Sequence, residues 1–277
     1  MIQISTISEL KDYLIQENLY SQNLILVPTM GNLHEGHLSI INEAQKYSQN
    51  IAVSIFINPL QFGPNEDLLD YPRTLSEDLV KLKSIGCRLV FTPSVGEFQF
   101  NKMQIINTGS KGKILCGVSR PTHFDGVATI VKFLLELFQP SMAFFGKKDY
   151  QQLAVIKDLV KNFSIPCEIK GVTTYREESG LAKSSRNQYL TNNEIKVAPF
   201  LYAFLLEAKK LLKIKNNNFS YIESFCKEGL EGKGFKVDYF KVCSENTLMT
   251  PSKEEKMIVC AAASLGKTRL IDNIEIM

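Results

Sequence analysis

Short apolar runs alternate with amphipathic segments as far as about residue 174. Runs rich in β-branched and aromatic side chains predict buried strands at residues 24–27, 51–57, 88–91, 142–145 and 167–172. A weaker run predicts a further strand at residues 103–108. Between most of these runs, apolar residues recur at the spacing of a helix face. This alternation is typical of a parallel α/β sheet, whose strands are buried on both faces.

Capping residues mark the ends of several predicted helices. Ser8 is expected to cap a first helix at residues 9–18. Thr74 is expected to cap a helix that Gly86 ends, with Glu77 at the capping-box position. The other helices of this region are predicted after residue 37, at residues 127–138 and up to residue 162.

The pattern changes after residue 190. Thr191 is expected to cap a long helix that residues 216–218 break, and a second helix is predicted at residues 221–230. Three strands follow without intervening helices, at residues 235–242, 257–263 and 269–276. We therefore predict a parallel α/β domain over residues 1–175 and a smaller α+β domain with an antiparallel sheet over residues 176–277.

The composition and net charge are those of a globular protein. Of the 277 residues, 44% are hydrophobic and 22% are charged, which is ordinary for a globular protein. The net charge of +3 gives no reason to expect nucleic acid or a membrane as a partner. No apolar run approaches the roughly 20 residues of a membrane span, and the first residues lack a signal-peptide profile. The six cysteines are scattered and mostly in apolar contexts, so we expect reduced, buried thiols in a cytoplasmic protein.

A phosphate-binding turn is predicted directly after the first buried strand, where the chain reads TMGNLHEGHL. Gly31 lets the backbone approach an anion closely, and the helix that begins nearby turns its N–H groups toward that anion. His34 and His37 lie three residues apart, so both rings can reach the same phosphoryl oxygens. The alternative is that both are ordinary structural histidines. Zinc is not expected, because no Cys, Asp or Glu lies nearby at ligand spacing.

Polar residues also follow the later strands, and ligands of doubly wound sheets bind outside the carboxyl ends of the strands. Asn58 and Gln61 follow the second predicted strand, where they are either substrate contacts or turn residues. Lys148 and Asp149 follow Gly146. Either Lys148 binds a phosphate, or the two residues form a solvated helix N-terminus. Together with the histidines, they favour one anion site at this edge of the sheet.

Two further segments carry candidate residues. Ser184, Ser185 and Arg186 could hold a triphosphate and stabilise a leaving pyrophosphate, although a solvated loop is the alternative. Arg120 could pair with a carboxylate or a phosphate, and His123 nearby could be structural.

Together these residues resemble the pantoate–β-alanine ligase family, over most of the chain. The motifs occur in the family's order and spacing: PTMGNLHEGHLSI, VSIFINPLQFGPNEDLLDYPRTLSEDL, GVSRPTHFDGVATIVK, FFGKKDYQQL and SSRNQYLT. The first motif contains the His-x-Gly-His element of a wider nucleotidylyltransferase superfamily, and NPLQF and GKKDYQQL narrow the resemblance to this family. It implies a Rossmann-like nucleotidyltransferase domain with a smaller C-terminal α+β lid, and a homodimer.

The resemblance implies an ATP-dependent ligation. The carboxylate of pantoate attacks the α-phosphorus of MgATP, which gives pantoyl adenylate and pyrophosphate. The amine of β-alanine then displaces AMP and forms pantothenate. Mg²⁺ would be bound mainly through the phosphates of ATP, with Glu77 and Asp78 as candidates for outer-shell contacts. Because the substrate supplies the nucleophile, this chemistry requires charge stabilisation rather than a nucleophilic side chain.

The resemblance also implies roles for individual residues. The catalytic residues would be His37, as the proton-transfer residue, with His34, Lys148 and Arg186. ATP would be bound by Met30, Gly31, Asn32, Leu33, His34, Glu35, Gly36, His37, Gly146, Lys147, Lys148, Asp149, Tyr175, Lys183, Ser184, Ser185 and Arg186. Pantoate and β-alanine would be bound by Asn58, Gln61, Arg120 and Gln152.

Some positions depart from the family's usual pattern. They are Thr122, Asp125, Lys147, Tyr175 and Lys183.

Two other functions remain possible. Adenylyl transfer to a phosphorylated cofactor precursor would need basic residues in place of the neutral amides. A regulator that binds nucleotide without catalysis would not need the histidine pair, the lysine and the arginine.

Overall fold

The computed structural model describes residues 1–21, 23–64, 66–214, 218–252 and 255–276. The chain forms two compact units. The first unit comprises Met1–Lys113, Gly117–Lys147 and Gln151–Thr173. The second unit comprises Ile114–Cys116, Lys148–Tyr150 and the chain from Thr174 onward. Two short segments therefore cluster with the C-terminal residues, although they precede the boundary that we predict near residue 175.

The first unit is built on a six-stranded parallel sheet. Its strands are β1 (Ile2–Ile4), β2 (Ile25–Thr29), β3 (Ile51–Ile55), β4 (Leu89–Phe91), β5 (Met142–Gly146) and β6 (Glu168–Val172). They lie in the order β1-β4-β3-β2-β5-β6, and every neighbouring pair is parallel. The order reverses between β2 and β5, so the carboxyl ends of these two strands flank the crevice where such sheets bind ligands.

Helices join the strands of this sheet. They are α1 (Ile7–Gln16), α2 (Glu35–Gln45), α3 (Leu75–Ser84), α4 (Cys116–Ser119), α5 (His123–Phe138) and α6 (Tyr150–Asn162). Val27 of β2, Val53 of β3 and Phe144 of β5 share one buried cluster with Ile41 of α2 and Leu82 of α3. Fully burying a side chain of this size contributes roughly 1.5–3 kcal/mol. This cluster therefore fixes α2 and α3 against the sheet.

The second unit is a three-stranded antiparallel sheet with helices. Its regular elements are α7 (Asn192–Val197), α8 (Phe200–Ile214), α9 (Phe219–Glu231), β7 (Lys236–Ser244), β8 (Met257–Leu265) and β9 (Thr268–Ile276). The strand order is β7-β8-β9. Leu205 of α8 and Ile222 of α9 are fully buried in a cluster with Val259 and Ala261 of β8.

The predicted architecture is confirmed, with two errors among the strands. The five main strands predicted for the first sheet are present, as are the three of the second sheet. β1 was not predicted, because three residues carry too little periodicity. The strand predicted at residues 103–108 is wrong. There, the Ile106 N–H donates to Thr129 Oγ1 and the Thr108 N–H donates to Asp125 Oδ1, so side chains of α5 replace a neighbouring strand.

Three predicted helix caps are wrong or incomplete. Thr6, rather than Ser8, caps α1. The Thr74 hydroxyl does not cap α3 and instead donates to Asp78 Oδ2 at 3.3 Å. Thr191 caps α7 in a capping box, but Pro199 follows and α8 begins as a separate helix.

Further expectations concern the cysteines, the end of α8 and membrane spans. All six cysteines are buried thiols that form no disulfide bond, as expected. Of the residues predicted to break the long helix, 216 and 217 lie outside the described ranges, and Asn218 caps α9. In the described part of the chain, no helix is long and apolar enough to cross a membrane.

Candidate active site

The turn between β2 and α2 holds the two histidines. Gly31 has φ +85° and Asn32 has φ +49°, so two successive residues lie in the left-handed region. A Cβ on Gly31 would lie 3.1 Å from both Asp78 Oδ2 and Ile55 Cγ2, and its φ would also be strained for an L side chain. Glycine at this position lets the turn pass close to α3 and leads the chain into the first turn of α2.

His34 and His37 form a reciprocal capping box at the N-terminus of α2. His34 Nδ1 accepts from the Gly36 N–H at 3.1 Å, and His37 Nδ1 accepts from the His34 N–H at 3.3 Å. The ring centroids are 4.1 Å apart, and the ring planes are inclined by 36°. A ring nitrogen that accepts carries no proton, so the proton of each neutral ring is on Nε2. The pair therefore presents two Nε2–H donors beside a helix N-terminus, an arrangement suited to phosphoryl oxygens.

Asp78 of α3 holds the turn that precedes these histidines. Its side chain is fully buried. Oδ2 accepts from the Asn32 N–H at 2.8 Å, and Oδ1 accepts from the Leu33 N–H at 2.7 Å. One turn later on α3, Lys81 Nζ donates to the Leu33 carbonyl oxygen at 2.6 Å. Three hydrogen bonds thus tie two consecutive residues of the turn to one helix.

Two buried amides lie at the end of β3. Asn58 and Gln61 are 1% and 8% exposed. Asn58 Nδ2 donates to Gln61 Oε1 and to the Gly126 carbonyl oxygen, each at 3.1 Å, and Gln61 Nε2 lies 2.8 Å from Met30 Sδ. A Cβ on Gly126 would meet the Leu60 carbonyl oxygen at 2.1 Å, so α5 can approach this turn only at a glycine. The amides are therefore fixed in orientation next to the turn after β2.

Arg120 and His123 also contact the Gln61 turn. Arg120 forms a two-pronged ion pair with Glu66, with Nε–Oε1 at 2.7 Å and NH2–Oε2 at 2.5 Å. His123 Nδ1 donates to the Gln61 carbonyl oxygen at 2.8 Å. The Arg120 guanidinium thus binds a carboxylate of its own chain, which the sequence analysis did not predict.

The segment after β5 contributes residues to both units. Gly146 and Lys147 belong to the first unit, and Lys148 and Asp149 belong to the second. Lys148 Nζ lies 3.7 Å from Asp149 Oδ1. Within the second unit, Asn273 Nδ2 of β9 donates to the Lys148 carbonyl oxygen at 2.8 Å. Gln152 lies in the first turn of α6 and is partly exposed.

The segment before α7 carries the other phosphate candidates, all in the second unit. The Lys183 N–H donates to the Tyr175 carbonyl oxygen at 3.0 Å, and Lys183 Nζ lies 3.4 Å from Glu177 Oε1. Ser184 Oγ accepts from the Arg186 N–H at 3.3 Å and begins a 3-10 turn at Ser185–Tyr189. The serines and the arginine are therefore held in one short turn.

A buried ion pair anchors this segment to β9. The Arg176 guanidinium bonds both oxygens of Asp272, at 2.6 and 2.8 Å, and stacks on the Tyr202 ring with its carbon 3.5 Å from the centroid. Burial raises the pKa of Asp272, while the hydrogen bonds from Arg176 oppose that rise. Because Asn273 is the next residue, the strand that bonds Arg176 also bonds the Lys148 carbonyl.

The structure thus groups the predicted residues by unit. In the first unit, the segment from Met30 to His37 lies beside the amides, and Arg120 contacts the same turn. Within the first unit, Asp78 and Glu66 support predicted residues, and within the second unit, Arg176, Asp272 and Asn273 do so. Sequence analysis did not foresee these supporting roles. One indication was available, since Asp78 and Leu82 share the buried face of α3. An acid at a core position of a helix needs a buried partner.

Three comparisons with known proteins bear on the family. A family model described as Pantoate-beta-alanine ligase matches residues 2–275. The pantothenate synthetase of Marinomonas sp. (strain MWYL1) is 45% identical over 276 residues, which cover 98% of each chain. Among solved structures, pantothenate synthetase from Thermus thermophilus is 38% identical, with a TM-score of 0.92 over 100% of this chain and 99% of that one.

A further solved structure carries ligands. It is the pantoate-beta-alanine ligase from Francisella tularensis, complexed with beta-gamma ATP and beta-alanine. It is 34% identical, with a TM-score of 0.81, and the match covers 99% of this chain and 97% of that chain. The resemblance found in the sequence is confirmed over essentially its whole length, and the chain belongs to the pantoate–β-alanine ligase family.

Proposed function

We propose that this protein condenses pantoate with β-alanine at the expense of ATP. The observation that carries the proposal is the histidine pair, whose two Nε2–H groups are fixed at the N-terminus of α2 by backbone hydrogen bonds. Donors that are already oriented stabilise the charge that develops on transferring phosphoryl groups. The neutral amides of Asn58 and Gln61, which contact Met30 in the turn before this pair, suit a small hydroxy acid better than a phosphorylated one.

The reaction has two group transfers. In the first, a carboxylate oxygen of pantoate bonds to the α-phosphorus of ATP, and the bond from that phosphorus to the bridging oxygen of pyrophosphate breaks. In the second, the amine of β-alanine bonds to the acyl carbon of pantoyl adenylate, AMP leaves with the carboxyl oxygen, and the amine loses a proton. Both steps build negative charge on phosphate oxygens, which cationic and N–H groups stabilise.

The residues divide into three proposed roles. His37, His34, Lys148 and Arg186 stabilise the transferring and leaving phosphates, with His37 as the proton-transfer residue. The nucleotide is also contacted by Met30, Gly31, Asn32, Leu33, Glu35, Gly36, Gly146, Lys147, Asp149, Tyr175, Lys183, Ser184 and Ser185. Pantoate and β-alanine contact Asn58, Gln61, Gln152 and Arg120, although Arg120 first has to exchange its bond with Glu66 for one with a substrate carboxylate.

Mg²⁺ is proposed to arrive with ATP and to be bound through its phosphates. Among the described residues, no three His, Cys, Asp or Glu side chains are grouped as a metal site would require. Both oxygens of Asp78 already accept backbone hydrogen bonds. A metal ion held by the substrate would neutralise charge on the triphosphate.

Three further proposals rest on the family resemblance. They are a homodimer, a cytoplasmic location, and the division into an ATP- and pantoate-binding domain at residues 1–175 and a lid at residues 176–277. Light scattering after size-exclusion chromatography tests the first, since a mass near twice 31.3 kDa is expected.

The test of the proposed function is a reaction with ATP, Mg²⁺, pantoate and β-alanine in which AMP and pantothenate are measured. AMP should form only when pantoate is present, and pantothenate should match it one to one. Replacing pantoate with a phosphorylated hydroxy acid is the matched control and should give no AMP. AMP formation that is independent of pantoate, or its absence, would overturn the assignment.

A further inference from the structure

We infer that Asp78 is a positioning residue for the adenylyl-transfer site, which it serves by fixing the backbone that delivers the histidine pair. The inference rests on the proposed function, because it assigns a role in that reaction to a side chain that is fully buried. Asp78 lies on α3, more than forty residues after the turn that it holds.

The geometry shows what the carboxylate does. Its two oxygens are each bonded to a separate, consecutive N–H of the turn, at 2.8 and 2.7 Å, and the Thr74 hydroxyl adds a third bond at 3.3 Å. A fully buried carboxylate is costly unless such bonds compensate it. Asn32 is one of the two bonded residues and has φ +49°, which is uncommon for a residue with a side chain. Asp78 therefore stabilises a backbone conformation that the turn would not favour alone.

The turn leads directly into the capping box. Leu33, the second residue bonded to Asp78, precedes His34, whose N–H fixes the His37 ring. Lys81 holds the Leu33 carbonyl from the next turn of α3. A shift of the turn would therefore move the His34 ring and disrupt the bond from the His34 N–H that orients the His37 ring. Misplacement of catalytic groups by about 1 Å can cost about 10²-fold in rate.

The inference separates two possible roles for an acid at this position. If the acid is an outer-shell contact of Mg²⁺, its substitution would alter the Mg²⁺ concentration needed for half-maximal rate. An acid that only positions the turn would lower kcat and leave that concentration unchanged. The bonding of both oxygens to backbone N–H groups points to the second role.

The experiment compares Asp78→Asn with Asp12→Asn. The second variant makes the same chemical change at an exposed position of α1 and should leave all values near wild type. Asn keeps one acceptor but places an amide N–H₂ group against the other backbone N–H, so one bond is lost. We expect kcat to fall at least about tenfold, KM for ATP to change less than kcat, and the Mg²⁺ requirement to stay constant. The ¹⁵N resonances of the His34 and His37 rings should shift.

Lys81→Met provides a second variant in case Asp78→Asn does not fold. It removes only the bond to the Leu33 carbonyl, and we expect a smaller loss of kcat with the same pattern. An unchanged kcat in folded Asp78→Asn, or a Mg²⁺ requirement that rises as kcat falls, would overturn the inference. If the wild-type protein forms no pantoate-dependent AMP, the proposed function fails, whereas the ring resonances still report whether Asp78 holds the turn.

Discussion

At the scale of single residues, hydrogen bonds of the backbone decide the tautomer of the histidine pair. Both Nδ1 atoms accept from backbone N–H groups, so each neutral ring carries its proton on Nε2. A neutral ring in this tautomer donates a hydrogen bond through Nε2, and it can take up a proton only at Nδ1, which already accepts a backbone N–H. We propose that the larger role of both rings, and of His37 in particular, is to donate hydrogen bonds to developing charge.

Two substitutions of His37 separate its capping role from its donor role. Asn can supply an acceptor near the Nδ1 position, and Gln can supply a donor near the Nε2 position. We predict that His37→Asn lowers kcat by at least about 10²-fold with little loss of unfolding free energy. His37→Gln should retain more of kcat. Steady-state kinetics and urea denaturation of both variants check this, and equal kcat values for Asn and Gln would contradict it.

Gln61 tests the proposed pantoate site. Its side chain is buried, and Asn58 and Met30 hold its amide in one orientation, as a specific contact with a hydroxy acid requires. We predict that Gln61→Ala raises KM for pantoate at least about tenfold, because a buried hydrogen bond is worth about 1.5 kcal/mol. KM for ATP should change little. Gln45→Ala removes a glutamine that bonds Ile85 instead, and it should leave both KM values unchanged.

At the scale of elements, the capping box of α7 is the clearest local determinant. Thr191 Oγ1 accepts from the Glu194 N–H at 3.3 Å, and Glu194 Oε2 accepts from the Thr191 N–H at 2.8 Å. We predict that Thr191→Ala lowers the unfolding free energy by about 1 kcal/mol. Thr191→Ser keeps the acceptor and should lose much less. Denaturant unfolding measures both variants. If Thr191→Ser loses as much unfolding free energy as Thr191→Ala, the cap is excluded as the cause.

Sequence patterns predict elements where the periodicity is strong and local. The β-branched runs of β2 and β3 and the apolar face of α5 are found where the sequence places them. The pattern fails where distant partners decide. β1 forms because β4, over eighty residues later, supplies its partner. The region around Ile106 is not a strand because side chains of α5 satisfy its backbone.

The same distinction applies to the candidate site. The histidines and the amides were predicted because each group lies in one short motif after a strand. Their supports could not be predicted in the same way, because Asp78 is 46 positions from Asn32 and Glu66 is 54 from Arg120. The capping box that fixes the imidazole tautomers needs coordinates too, since the sequence gives no ring orientation.

At the scale of the whole molecule, buried thiols link stability to alkaline pH. Burial raises the pKa of Cys87 from 9.0 to about 11, and it raises the pKa values of Cys167, Cys226 and Cys243 to about 12. A thiol whose pKa is raised by folding stabilises the folded state below its unfolded pKa. This stabilisation is lost as pH rises from the unfolded pKa to the folded pKa.

The size of this loss of stability can be calculated for the Cys87 thiol. Between pH 7 and pH 10 its titration should lower the unfolding free energy by about 1.4 kcal/mol, from the two pKa values. We predict that Cys87→Ser, which keeps a donor for the Ile51 and Leu89 carbonyls, flattens the fall by about that amount. Denaturant unfolding at both pH values measures it. Parallel pH profiles for the two proteins would contradict the assignment.

The two short segments that cluster with the second unit limit how this chain can be divided into co-expressed halves. A gene split at codon 174 would leave the C-terminal product without Cys116, which contacts the Tyr239 hydroxyl and the Arg269 guanidinium. It would also lack Lys148, whose carbonyl accepts from Asn273. The C-terminal product would thus expose buried polar groups without their partners. In a split reporter based on this chain, the N-terminal product therefore has to supply these two segments before the C-terminal product can complete its fold.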